Sequence, residues 1–147
     1  MATIGLKLMI EVNFVEFIPS KMTKNTLYVS MKYKTAKHLC FCGSGSYVVT
    51  PLSPARWQIS FDGETVSLFP SVGNWGQKCN SHYWIKRNKI IWDRKFSKGE
   101  IQLNRKRDKE RVENYIGNSI RQKKDAEHSK RANLILQFIR KLFRNKK

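Results

Sequence analysis

The sequence predicts an α+β chain: a small, mainly-β domain of antiparallel strands and hairpins over residues 1–96, then one or two basic C-terminal helices over residues 97–147. Three observations predict it. Short β-favouring runs recur between Glu11 and Trp92, punctuated by proline, glycine and asparagine. From Glu100 to Tyr115 there is no proline or glycine, and the residues are helix formers. The last 50 residues carry 16 Lys+Arg against 6 Asp+Glu, a denser basic texture than the rest.

The elements follow in order. Glu11 to Phe17 is a β-favouring run that Pro19 ends, because proline has no N–H to give a ladder. Leu27 to Tyr33 alternates apolar and polar residues, as a half-buried strand does. Ala36 to Cys42 follows, and Gly43-Ser44-Gly45-Ser46 turns the chain into the β-branched run Tyr47 to Thr50. Pro51 and Pro54 bracket a turn before Trp57 to Phe61. Asp62-Gly63 is a strong hairpin signal that leads into Thr65 to Phe69. Two glycines and an asparagine make Ser71 to Gln77 a loop, and Arg87-Asn88 turns Tyr83–Ile85 into Lys89–Trp92. Ser97 stands three residues before Glu100, the spacing of a capping box. Gly117 is expected to break the helix. Beyond it, Leu134, Ile135, Leu136, Phe138, Ile139, Leu142 and Phe143 form a mostly one-sided apolar pattern opposite Arg and Lys. Packing on the β domain, lying on a membrane surface and docking on a partner all fit that helix.

Composition bounds the function. Of 147 residues, 40% are hydrophobic and 12% aromatic, enough for one core. The balance of 29 Lys+Arg against 11 Asp+Glu gives +18, which excludes a disordered acidic chain. Collagen-like repeats and a disulfide scaffold are excluded too. The apolar runs fall far short of the roughly 18 residues of a membrane-spanning helix. Residues 1–10 lack a signal-peptide cleavage pattern, so a cytoplasmic setting is expected, with reduced thiols or metal ligands rather than disulfides. A field this basic draws in polyanions or acidic proteins. The same charges also suit a solvated helix face. Aromatics do not interleave with the tail's basic residues, which weighs against single-stranded nucleic acid.

Chemistry concentrates in His38-Leu-Cys40-Phe-Cys42-Gly43 and Cys79-Asn-Ser81-His82. Cys40 and Cys42 are two apart, so on a strand they share a face, and His38 has the same parity. Cys79 and His82 have C-x-x-H spacing. Cys40, Cys42, Cys79 and His82 together offer four donors that suit tetrahedral zinc. Three buried thiols and a satisfied histidine fit the spacing equally well. Ser81 lies beside the cluster, and a nucleophilic serine needs a neighbouring base. His38 can reach it across paired strands and His82 from within a turn, so both remain candidate bases. No G-x-S-x-G elbow is present. The Gly73-Asn74-Trp75-Gly76 loop offers an amide, Asn74, to an oxyanion, or is a plain turn. Asp62, Glu64 and Asp93 are the candidate orienting acids.

These segments also carry a resemblance. Leu27-Tyr28-Val29-Ser30, Thr35 through Gly43, Thr50 through Pro54, Trp57 and Asp62-Gly63-Glu64 take part in it. So do Val66 through Trp75 and Cys79-Asn80-Ser81-His82-Tyr83-Trp84-Ile85. They resemble the small bacterial proteins encoded beside ubiquitin-like conjugation genes, the Bub operons. The likeness runs over most of residues 10–93 and more loosely over Ser97–Tyr115. It implies a serine peptidase that trims a ubiquitin-like precursor or removes the modifier from targets. The partners it implies are the ubiquitin-like protein, its conjugates and the activating and conjugating enzymes. The motif positions are His38, Cys40, Cys42, Gly43, Cys79, Ser81 and His82. One departure is that family members often carry a further cysteine where this chain has Ser44.

Three functions compete on this reading. The first is a peptidase in which Ser81 attacks a carbonyl with His38 or His82 as base. The second is a zinc-stapled binding module that presents its basic tail to nucleic acid or an acidic partner. The third is a metallohydrolase with an open zinc position, against which thiol-rich sites argue because they are usually closed and structural.

Overall fold

The computed structural model describes residues 8–144, with side chains described over residues 8–141. Nine strands precede one helix among the described residues. The strands are β1 (Leu8–Met9), β2 (Glu11–Phe14), β3 (Thr26–Ser30), β4 (Thr35–Leu39) and β5 (Tyr47–Pro51), then β6 (Gln58–Phe61), β7 (Val66–Gly73), β8 (His82–Lys86) and β9 (Lys89–Trp92). The helix is α1 (Lys98–Arg144). One sheet runs β1-β9-β8-β7-β6 and the other β2-β3-β4-β5. The chain crosses between them at buried Ile10. Leu27, Val29, Ala36 and Val48 of one sheet share a single core cluster with Val66, Leu68, Tyr83, Ile85 and Ile90 of the other. This is the arrangement that buries one apolar face of each sheet.

Local chemistry explains the hairpins. The Asp62 carboxylate accepts from the N–H groups of Glu64 and Thr65, at 3.1 and 2.6 Å, and from the Thr65 hydroxyl. Gly63 takes the positive φ that the turn requires. Arg87 and Asn88 both have positive φ, as a primed two-residue turn demands. Asn88 then binds the Val66 N–H through its side chain. The capping box forms: Ser97 N–H donates to Glu100, and Glu100 N–H donates to Ser97 Oγ.

Some expectations are corrected. β2 pairs with β3 in parallel, with Glu11 opposite Thr26, so the sheets are not wholly antiparallel. The helix passes through Gly117 without a break. A lone interior glycine costs only about 1 kcal/mol, and the flanking runs Glu100–Glu113 and Arg121–Lys124 are rich in helix formers. β7 extends through Ser71 to Gly73, where the composition predicts a loop. An irregularity permits this: three residues, Phe69 to Ser71, stand against one, Trp84, between the Leu68–Ile85 and Val72–Tyr83 pairs. Such a bulge re-aims side chains and tolerates Pro70, which cannot donate to a ladder.

The chain divides into two compact units, Met1–Asp108 and Lys109–Lys147. In the second unit Leu134, Ile135, Leu136, Phe138 and Ile139 are exposed. Leu142 and Phe143 of the expected apolar pattern lie outside the described side chains. Among the described residues, no helix is long and apolar enough to cross a membrane.

Candidate active site and thiol pocket

Cys40 and Cys42 sit in the turn just beyond β4, where the Gly43 N–H donates to the Cys40 carbonyl. Cys79 sits in the turn before β8. The three sulfurs lie within 4.8 Å of one another. Cys40 Sγ is 3.2 Å from Cys42 Sγ and 4.0 Å from Cys79 Sγ. The Ser81 hydroxyl meets all three thiols, and the Ser44 hydroxyl meets Cys42 and Cys79. Asn74 is buried here. Its Nδ2 donates to Cys79 Sγ at 3.5 Å and its backbone N–H to the Ser81 carbonyl at 2.8 Å. The amide expected at an oxyanion is thus turned toward the thiols.

The electrostatics favour thiolates on the outer side of the pocket. Burial pushes the Cys42 thiol up, but the Ser44 and Ser81 hydroxyls outweigh it and leave the thiol lowered to about 6. Cys79 is lowered in the same way, its burial offset by Ser81. Burial dominates at Cys40 and raises it. The three sulfurs are close enough together to hold a metal ion. Tetrahedral ligands at about 2.3 Å from the ion stand about 3.8 Å apart, and the observed separations of 3.2 and 4.0 Å bracket that value.

His38 lies behind the thiols with 0% exposure. Its ring stacks on Phe41 with centroids 4.5 Å apart. Nε2 is 2.7 Å from Tyr83 Oη, and Nδ1 has no partner among the described residues. Burial lowers its pKa to about 3, so the ring is neutral at pH 7. The Tyr83 hydroxyl also meets Cys40. The Nε2–Tyr83 contact serves either ring tautomer, with Nε2 donating to the phenol oxygen or accepting its hydroxyl proton.

A pH dependence follows. The unfolded imidazole takes up its proton near pH 6.5 and the folded one only near 3. Between those values the unfolded state binds more protons, so stability falls as the medium is acidified through that window and is level above it. One such group contributes a slope of up to about 1.4 kcal/mol per pH unit. Urea unfolding of the wild type and of His38→Asn across pH 4–7 measures this. The variant is expected to be less stable at pH 7 and to have a slope shallower by about that amount.

The second histidine has a different setting. His82 opens β8 and is 3% exposed. Its ring is walled by Phe96 at 4.4 Å and Trp75 at 5.1 Å, and those two rings stack on each other at 5.0 Å. Gly73, which pairs with His82, has no room for a side chain: a Cβ there would meet the Trp75 ring at 2.0 Å. His82 Nδ1 stands 3.0 Å from the Arg94 carbonyl and 3.8 Å from Asp93 Oδ2. Nε2 stands 2.9 Å from Ser71 Oγ. An N–H on Nδ1 donates to the Arg94 carbonyl, which leaves the Nε2 lone pair to accept the Ser71 hydroxyl proton. The Arg94 N–H and then the Trp84 indole hold the Asp93 carboxyl below its ordinary range, so it is ionised at pH 7. Hydroxyl, imidazole and an orienting carbonyl with a carboxylate beside it reproduce the logic of an activated serine.

The structure thus brings Cys40, Cys42, Cys79, Ser81 and Asn74 into one pocket. His82, expected with the thiols or with Ser81, instead faces Ser71. Of the candidate acids, Asp93 is beside His82, while Asp62 is occupied in its own hairpin. In the sequence Ser71 reads as the first residue of a loop, and nothing local points to its contact with His82. Its signal lies in the tertiary pairing of β7 with β8.

Residues 14–93 match the model of a family described as bacterial ubiquitination-like system serine protease (BubE). No curated protein and no solved structure matches the chain.

Proposed function

The chain belongs to this family of bacterial ubiquitination-like system serine proteases, and from that premise we propose that it processes or deconjugates a ubiquitin-like protein with Ser71 as nucleophile and His82 as base. The observation that carries this assignment is the 2.9 Å contact between Ser71 Oγ and His82 Nε2. Ser71 Oγ attacks the carbonyl at the modifier's C-terminal end while its proton passes to Nε2. The imidazolium that forms is stabilised by the Arg94 carbonyl and the charge of Asp93. His82 returns the proton to the departing group, and the modifier is left as an ester on Ser71. Water, deprotonated by His82, then releases the carboxylate and restores the serine. General-base help of this kind is worth on the order of 10²–10⁴ in rate.

In this reading Ser81 belongs to the thiol pocket, where sulfurs rather than an imidazole surround it. Zinc is assigned to Cys40, Cys42 and Cys79, with His82 left to the serine. When bound, the ion would cross-link the turn after β4 to the turn before β8, a structural role. Three free cysteines suit a reducing cytoplasm. The partners implied are the ubiquitin-like protein, its conjugates and the enzymes that activate and conjugate it.

The test is direct. The purified chain, incubated with the ubiquitin-like precursor of its own system, is expected to yield a product shortened at its C-terminus. A fluorophosphonate should block the reaction and DNA should leave it unchanged. A precursor that stays intact, or cleavage that ignores the fluorophosphonate, contradicts the proposal.

A further inference from the structure

The face of the sheet that carries Ser71 and His82 continues into a groove the proposed chemistry does not use. On β8, Tyr83 and Ile85 point into the core, so His82, Trp84 and Lys86 share the other face. Across the ladder, Ile91 stands opposite Trp84 and Lys89 opposite Lys86. Phe69, two residues before Ser71, lies with its ring 6.3 Å from that of Trp84 and is 61% exposed. These side chains and Arg87 border an open groove of ≈ 450 Å³ whose lining holds three cations and no carboxylate. Lys86 Nζ stands 4.9 Å over the Trp84 ring. An exposed apolar floor of this kind beside clustered cations marks a binding surface.

We infer that this groove is the subsite for the substrate's extended C-terminal segment. It selects an apolar side chain about two residues, and an acidic side chain about four residues, before the cleaved bond. The inference rests on the Ser71–His82 reading and names the substrate class that site takes. The register follows from strand geometry. Successive outward positions on β8 are about 7 Å apart, so Trp84 lies about 7 Å and Lys86 about 13 Å from His82. An extended peptide has the same rise, and a residue two or four places away spans the same distances. β8 is paired on both sides, by β7 and β9, so the peptide cannot join it as an added strand. Recognition therefore runs through side chains: Phe69, Trp84 and Ile91 take the apolar group, and Lys86, Arg87 and Lys89 take the carboxylate.

The test separates binding from chemistry. The probes are fluorescein-labelled peptides that differ only in Glu or Lys four residues before the cleavable bond. Their affinity for the Ser71→Ala chain is read by anisotropy, and their cleavage by the wild type is followed separately. The Glu peptide is expected to bind about tenfold more tightly, with the advantage shrinking as salt is raised. In the exposed double variant Lys86→Glu/Lys89→Glu the preference should invert toward the Lys peptide. Phe69→Ala should weaken both peptides by about tenfold. Equal affinity for the two peptides, or a preference that survives the charge reversal, overturns the inference. Preferential binding without cleavage would sink the peptidase reading and leave the groove standing. Cleavage without preference would do the reverse.

Discussion

Replacing Ser71 with alanine is expected to lower kcat/KM on the ubiquitin-like precursor by about 10⁴–10⁶-fold, the range in which nucleophile and base act as one unit. His82→Gln should fall in the same range, and combining the two should add little. Ser81→Ala should stay within about tenfold of wild type, because its hydroxyl meets thiols rather than an imidazole. Asp93→Asn should lose much less than either member of the pair. Nδ1 is held at 3.0 Å by the Arg94 carbonyl, while the Asp93 carboxylate stands at 3.8 Å. Ser71→Ala also leaves a buried Nε2 without its partner, which costs about 1–3 kcal/mol of stability. Unfolding curves measured alongside the kinetics separate that modest cost from lost chemistry.

Removing a thiol is expected to have the largest effect on stability. The wild type purified in the presence of zinc should hold one equivalent, and Cys79→Ser should hold none. Binding to the folded state alone adds about 2.7 kcal/mol when free zinc stands at 100 times Kd. Cys40→Ser, Cys79→Ser and a chelator should each remove that increment, and the chelator should change the variants little. Ser44→Cys brings a fourth sulfur to the same pocket, since the Ser44 hydroxyl already meets Cys42 and Cys79. It should raise zinc affinity by at least tenfold. Metal analysis and thermal unfolding with and without added zinc measure both effects. A Cys79→Ser chain that keeps its full equivalent of zinc and its unfolding midpoint would remove the metal assignment.

The fold was legible where local chemistry decides it. Asp62-Gly63 and Arg87-Asn88 announce hairpins because few residues accept their backbone angles, and Ser97 with Glu100 announces the helix start because the two side chains satisfy each other's backbone donors. The thiol cluster was legible in part: Cys40 and Cys42 are close in sequence whatever their local structure and the C-x-x-H spacing singled out Cys79, but the fourth expected member, His82, faces Ser71 instead. What the residues could not reveal is set by non-local pairing. Whether His82 faces Ser71 or Ser81 depends on how β7 is irregular between Leu68 and Val72, and no short-range pattern encodes that. Ser81 and His82 are neighbours in sequence, yet their side chains leave β8's start for different surroundings. Parity also misplaced His38. It shares a face with Cys40 as expected, but Tyr83 rather than a serine occupies its accessible nitrogen. The parallel β2–β3 pair was hidden for a similar reason, because strand direction is fixed by the route of the connecting segment rather than by the strand residues.

The most direct measurement locates a fluorophosphonate adduct by mass spectrometry of a tryptic digest. No lysine or arginine lies between Arg56 and Lys78, and the next cut follows Lys86, so Ser71 and Ser81 fall in different peptides. The adduct is expected on the peptide of residues 57–78, at Ser71, and absent from His82→Gln. An adduct on the peptide of residues 79–86, at Ser81, would contradict the assignment of the nucleophile.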